Sequence, residues 1–216
     1  MGKTLQELAL ARSIQASFLP ETIPQIPGWQ ITAMLEPARQ IAGDYYDFIN
    51  LPDGKLGFLI ADVADKGLGS ALYMALSNTL IRTFANAYHH DPALVLKTAN
   101  QHILRNARAN LFVTVFFGVL DPITGSLCYA NAGHNPPYLV GKGGIRMLNS
   151  TGMPLGIDED NDWTQNEVVI FPGEVLLLYT DGVTDAQNSA GEFIDRKIIL
   201  NAVQTCLGKS VQEVQD

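Results

Sequence analysis

The chain has 216 residues, 47 % of them hydrophobic, with 19 glycines, 11 prolines and a formal net charge of −8. This allows one large domain, or a domain with a short appendage, and supplies enough apolar material for a sizeable core. It excludes a disordered or collagen-like chain, and the absence of any Lys/Arg run argues against a nucleic-acid surface.

In chain order, TLQELALARSIQASFL (4–19) reads as a helix stopped by Pro20. Leu5, Leu8, Ala11, Ile14 and Phe18 recur three or four apart and form one apolar stripe. Such a stripe packs on its own domain, on a second copy, or as the end of a coiled coil. The proline-rich PETIPQIPG follows as a linker, so residues 1–20 separate from a main domain at 21–216. WQITAML (29–35) alternates like a strand. YYDFINL and KLGFLIADV flank the turn Pro52-Asp53-Gly54 and read as a hairpin.

After Gly67 the period changes. GSALYMALSNTLIRTFANAY (69–88) places Leu72, Leu76, Leu80 and Phe84 on one helical stripe. Asp91-Pro92 is an N-cap followed by proline at the first helical position, starting a second helix that runs to about Arg108. FVTVFFGVLD (112–121) is apolar on both faces, as a central strand of a covered sheet is. SLCYANAG, PPYLV, EVVIF and EVLLLYTDG continue the β pattern, and helical stretches cover about 194–207 and begin again at 210. Hairpins outnumber β-α-β units. The expectation is an α+β layered fold: a largely antiparallel sheet system with two long helices packed on it. Cys128 and Cys206 lie far apart, outside any CxxC or Cys/His cluster, and read as reduced thiols. No signal peptide and no apolar run long enough for a span stands out, so a soluble cytoplasmic protein without membrane insertion is expected.

Acidic residues gather where apolar runs meet turns. IAGDYYDF carries Asp44 and Asp47, FLIADVADKG carries Asp62 and Asp65, and VLLLYTDGVTDA carries Asp181 and Asp185. An apolar strand is a rigid mount for its last side chain, and hard cations such as Mg²⁺ or Mn²⁺ take oxygen ligands of this sort. Asp is also a common turn residue, and spacing alone leaves both readings open. Other assignments fail on detail. Asp62-x-x-Asp65 lacks the Asp-x-Asp spacing of haloacid-dehalogenase-type phosphatases, and the hairpins lack the β/α alternation of a receiver domain. The acidic run at Asp158–Asp162 has Trp163 at the glycine position of an EF-hand loop and Val169 at its final glutamate. GKGG lacks P-loop spacing. His89 and His90 read as helix-end surface residues and His102 as structural.

AGDYYDF, ADVADKGLGSALYMA, FVTVFFGVLD, YANAGHNPPYLV, GMPLGI and LLLYTDGVTDA occur together in an order that resembles the SpoIIE/RsbU branch of the metal-dependent, protein phosphatase 2C-like enzymes. The resemblance covers roughly residues 10–205. It implies two stacked, mainly antiparallel sheets flanked by helices, an αββα sandwich, with a two-metal site at one edge. It implies hydrolysis of phosphoserine or phosphothreonine on a protein by in-line hydroxide attack, with two Mn²⁺ or Mg²⁺ ions and no other cofactor. The substrate implied is a phosphorylated STAS-domain anti-anti-sigma factor in bacterial signalling. An upstream sensor module would connect through the N-terminal helix, and a homodimer is a further expectation. By motif, Asp62 would bridge both metals and position the hydroxide. The Val63 carbonyl would ligate the first metal, and Asp44 and Asp181 the second. Gly43 and Gly182 would permit the tight backbone there, with Asp47 and Asp65 as candidates for supporting the ligands. His134 and Asn135 would hold their own turn. Lys66 stands where relatives carry His. Relatives close with an Asp-Asp-x-Thr strand that supplies another carboxylate, and Val214-Gln215-Asp216 is not that motif. A chain lacking that C-terminal strand would expose a sheet edge. An inactive binding module on the same fold is the alternative, which the retained Asp44, Asp62 and Asp181 oppose.

Overall fold

The structure is a computed structural model that describes residues 10, 12–36, 42–65, 67–106, 111–187 and 191–215. Within the expected N-terminal helix, residues 12–16 are helical and are called α1 here; most of the rest of that helix lies outside the described residues. Gln15 fastens α1 to the domain. Its side-chain amide donates to the Ala42 carbonyl (2.5 Å), and its oxygen accepts from the Ala42 N–H (3.2 Å).

Two antiparallel sheets form the centre. Strands β1 (Tyr45–Asn50), β2 (Leu56–Val63), β3 (Val113–Leu120), β4 (Ser126–Ala132) and β7 (Asn166–Val169) make a five-stranded sheet in the order β1-β2-β3-β4-β7. Strands β5 (Tyr138–Gly141), β6 (Gly144–Met147) and β8 (Val175–Leu177) make a three-stranded sheet in the order β6-β5-β8. The β1–β2 hairpin runs in register from Tyr45 opposite Ala61 to Asn50 opposite Leu56. Its turn is a short 3-10 segment, Pro52–Gly54, with Asp53 in the left-handed region at φ 60°.

β3 occupies the middle of its sheet, and its apolar run is explained by what each face meets. Val113, Val115, Phe117 and Val119 join the core beneath the helices, whereas Phe116 and Leu120 join the core between the sheets. β2 divides likewise: Leu59, Ala61 and Val63 face the helices, and Leu56 and Phe58 face the second sheet. A strand alternates strictly, so Asp62 belongs to the inter-sheet face, at its end.

Helices α2 (Leu68–Ala87) and α3 (Pro92–Asn106) cover the outer face of the large sheet. The expected cap is present: Asp91 Oδ1 accepts the Leu94 N–H at 2.9 Å. The expected stripe on α2 is not the buried one. Tyr73, Met74, Ser77, Ile81 and Ala85 face the core, Leu80 and Phe84 pack at its margin, and Leu72 is 66 % exposed. The helix is apolar around more than one stripe, and Ser77, one of its two buried serines, is satisfied, because its hydroxyl lies 2.8 Å from the Tyr45 hydroxyl and donates to the Met74 carbonyl. A polar residue thus enters the core without an orphaned group.

Behind the small sheet, the short helix α4 (Asp181–Thr184) is followed by α5 (Arg196–Thr205) and α6 (Val211–Gln215). Val203, Leu200 and Val214 meet Tyr138, Val140 and Tyr179 there. The layers are therefore helix, sheet, sheet, helix, as expected. The acidic loop is no EF-hand: Asp162 pairs with Lys97, and Trp163 is buried with its indole N–H on the Met153 carbonyl. Cys128 and Cys206 are free thiols.

Candidate metal centre

Asp62 ends the inter-sheet face of β2, directly opposite Thr114 of β3. The Thr114 hydroxyl lies 2.9 Å from His134 Nδ1 and reaches towards the Asp62 carbonyl at 3.4 Å. Residues 42–44 approach the same end of β2 from the start of β1. The Val63 N–H meets the Gly43 carbonyl at 3.4 Å. A Cβ on Gly43 would lie 2.7 Å from the Val63 carbonyl oxygen and 3.4 Å from Asp62 Oδ1. Only glycine lets these two oxygens flank so close an approach.

Asp44 meets the third segment. Thr180 donates its hydroxyl to Asp44 Oδ2 at 2.8 Å, and Asp181 follows at once as the first residue of α4. The site thus joins the lead-in to β1, the end of β2 and the start of α4, segments that are far apart in sequence. The three aspartates were expected at strand ends, and only Asp62 lies in a strand. Asp44 precedes β1, and β8 ends at Leu177, before Asp181. Among the described residues, Asp44, Asp62 and Asp181 do not form one set of donor atoms within 4.8 Å. Two physical reasons agree with this spread. Carboxylates without a cation repel, and two ions about 3.5–4 Å apart need more than one coordination sphere. The donors are carboxylate and carbonyl oxygens, the set that hard divalent cations take, so these residues fit such ions.

The neighbouring aspartates differ in role. Asp47 is fully buried and pairs with Arg82 of α2, which donates from Nε to Oδ2 at 2.9 Å and from a terminal nitrogen to Oδ1. Burial still holds the Asp47 carboxyl above its ordinary range, with Arg82 opposing. That carboxylate ties helix to sheet. Asp65 is exposed, at φ 80°. Asp185 caps α4, its N–H donating to the Asp181 carbonyl at 2.7 Å. Gly182 is not sterically required, because a Cβ there would meet Thr180 Oγ1 at 3.6 Å and Asp44 Oδ2 at 3.7 Å, ordinary contacts. Lys66 lies outside the described residues.

His134 is buried in a turn held by Asn131, whose side chain accepts the His134 N–H (2.8 Å) and donates to its carbonyl (3.2 Å). Thr114, Thr180 and Asn131 were not singled out in the sequence. Thr114 had a signal, a lone hydroxyl inside FVTVFF, and Thr180 another, its place directly before Asp181. Burial pushes the His134 imidazole down to about 4 from 6.5, while the Tyr179 backbone and the Asp44 carboxylate pull weakly upward. The unfolded chain therefore takes up this proton near pH 6.5 and the native chain only near 4. Stability from this group is intact above 6.5 and falls as pH drops towards 4, by up to about 3 kcal/mol. Urea unfolding at pH 7 and pH 4.5 will show a difference that shrinks by roughly that amount in His134→Gln.

Residues 52–216 match the family model described as Stage II sporulation protein E (SpoIIE). The chain belongs to the SpoIIE family. Protein IcfG of Synechocystis sp. is 36 % identical over 229 aligned positions, covering 94 % of this chain and 36 % of IcfG. Phosphoserine phosphatase RsbU of Bacillus subtilis is 30 % identical over 210, covering 96 % of this chain and 62 % of RsbU. The chain therefore spans about a third to three fifths of these family relatives. The SiaA-PP2C domain of Pseudomonas aeruginosa shares the fold, with a TM-score of 0.80 at 20 % identity over 99 % of this chain and 87 % of that one. The architecture is thus PP2C-like. No helix among the described residues is long and apolar enough to cross a membrane.

Proposed function

We propose that this chain is a divalent-metal-dependent phosphoserine/phosphothreonine protein phosphatase in bacterial signalling, acting on a phosphorylated STAS-domain protein. One observation carries the reading: the Asp62 carboxylate and the Val63 carbonyl flank the space that Gly43 leaves open, and Asp44, the next residue, accepts the Thr180 hydroxyl on Oδ2. The likeness to a phosphoserine phosphatase such as RsbU supports the reaction class, and the resemblance of the motifs supports the STAS-domain substrate.

Asp62, Val63 through its carbonyl, Asp44 and Asp181 would hold two Mn²⁺ or Mg²⁺ ions. When bound, such ions acidify water at neutral pH and offset the negative charge that builds on a phosphoryl group. The protein's own residues set the geometry. β2 holds Asp62 on its inter-sheet face, Thr180 fixes one oxygen of Asp44, and Gly43 keeps the backbone close. In a chain of net charge −8, bound cations would reverse the local sign and attract a phosphate.

The test is phosphate release from a phosphoserine peptide and from a phosphorylated STAS-domain protein, with Mg²⁺, with Mn²⁺ and after chelation. Release that requires the ion, and that is faster on the STAS protein than on the peptide, is expected. Release undiminished by chelation, or none with either ion, overturns the reading.

A further inference from the structure

We propose that Asp53, His89 and His90 form a separate site for a borderline divalent transition-metal ion, Zn²⁺ foremost, at the opposite end of β2 from Asp62. The proposal is independent of the reading of the carboxylate centre. The two sites lie about 20 Å apart along the strand.

The donor geometry is the first argument. Both imidazoles direct Nε2 at the same carboxylate oxygen: His89 Nε2 is 3.9 Å and His90 Nε2 is 4.0 Å from Asp53 Oδ2. These distances are too long for hydrogen bonds. One donor atom from each residue lies within 4.8 Å of the others, the one group of this kind among the described residues. A tetrahedral Zn²⁺ with bonds of about 2.0–2.1 Å separates its ligands by roughly 3.4 Å. The two His–Asp separations therefore shorten by about half an ångström to suit one ion.

The second argument is backbone placement. His89 and His90 occupy the turn between α2 and α3. That turn is pinned by the Tyr88 N–H on the Phe84 carbonyl (2.8 Å), the Asp91 N–H on the Tyr88 carbonyl (2.9 Å) and the Asp91 cap. Asp53 projects from the β1–β2 turn, closed by the Leu51 N–H on the Lys55 carbonyl at 3.0 Å. Two fixed turns from separate layers thus present three ligands to one another. The Asp53 and His90 side chains are 70 % and 63 % exposed, which leaves an entry path for the ion.

The third argument is the space beside them. His89 and His90 border a cavity of about 250 Å³ whose other walls include Ser126, Cys128 and Glu167. Three protein ligands leave a tetrahedral ion one open position, the pattern of a site that keeps a water or takes a further ligand. Imidazole donors select Zn²⁺ and its neighbours over Mg²⁺ and Mn²⁺, whereas all-oxygen donors suit the latter.

The experiment titrates the untagged chain with Zn²⁺ alone, in excess Mg²⁺, by equilibrium dialysis at neutral pH. Asp53→Asn, His90→Ala and Asp62→Asn are measured beside the parent. Asn adopts the left-handed backbone of position 53 as readily as Asp, and position 90 is on the surface, so both variants retain the fold. The expected result is micromolar Zn²⁺ binding that weakens about tenfold or more in Asp53→Asn and His90→Ala and is unchanged in Asp62→Asn. The proposal is overturned if the parent binds no Zn²⁺ at micromolar free ion. Parent-like binding in Asp53→Asn and His90→Ala, or loss in Asp62→Asn alone, overturns it equally.

Discussion

Asp62→Asn is expected to reduce metal-dependent phosphate release by ~1,000-fold or more, about 4 kcal/mol of transition-state stabilisation. The substitution is nearly isosteric, and Asp62 lies in a strand paired on both sides, to β1 and to β3. The fold should therefore survive, with a circular-dichroism spectrum and unfolding midpoint close to the parent's. What changes is charge. An amide has one carbonyl oxygen and no net charge with which to share two divalent ions, so raising Mg²⁺ or Mn²⁺ should restore little of the rate. Turnover that persists in Asp62→Asn with unchanged metal dependence would remove Asp62 from the reaction.

Gly43→Ala is expected to cost ~100-fold in rate, the scale of an ångström-sized misplacement at a reacting centre. The new methyl carbon would sit 2.7 Å from the Val63 carbonyl oxygen, closer than such contacts allow. Backbone bounds it on that side, so relief requires residues 42–44 and the end of β2 to separate. Overpacking of this kind costs about 1–3 kcal/mol of stability, visible as a lowered unfolding midpoint. The half-saturating metal concentration should rise at the same time. Gly182→Ala is the matched control: its Cβ would make only ordinary contacts, so rate and stability should stay near the parent's. Equal damage at both positions would mean that glycine at 43 has no special part in the approach to Val63.

Much of this architecture was legible in the sequence, and the exceptions have physical causes. β3 announced itself because an eight-residue strand apolar on both faces has nowhere to go but the middle of a covered sheet. The turn at Asp91-Pro92 was legible because capping is local chemistry. The buried face of α2 was not. Leu72, Leu76, Leu80 and Phe84 make a better stripe on paper than Tyr73, Met74, Ser77 and Ile81, and the Met74 carbonyl together with the Tyr45 hydroxyl across the interface makes Ser77 acceptable inside. The carboxylates divide in the same way. Asp44, Asp62 and Asp181 stood out by motif order. The role of Asp47 depends on Arg82, 35 residues further on, a partner that periodicity does not reveal. The cluster of Asp53 with His89 and His90 was equally hidden, because it joins a hairpin turn to an interhelix turn.

The grip of Gln15 on Ala42 has a consequence in both directions. By holding both backbone polar groups of one residue, Ala42, a single side chain ties α1 to the segment that continues into Gly43 and Asp44. Two events that share a segment share a free energy. Any force that lifts α1 from its seat must loosen the loop that carries Asp44, and any occupant that tightens this loop must hold α1 down by the same factor. The helix is therefore a gauge of what the loop holds, and amide exchange at Ala42 is where that gauge can be read.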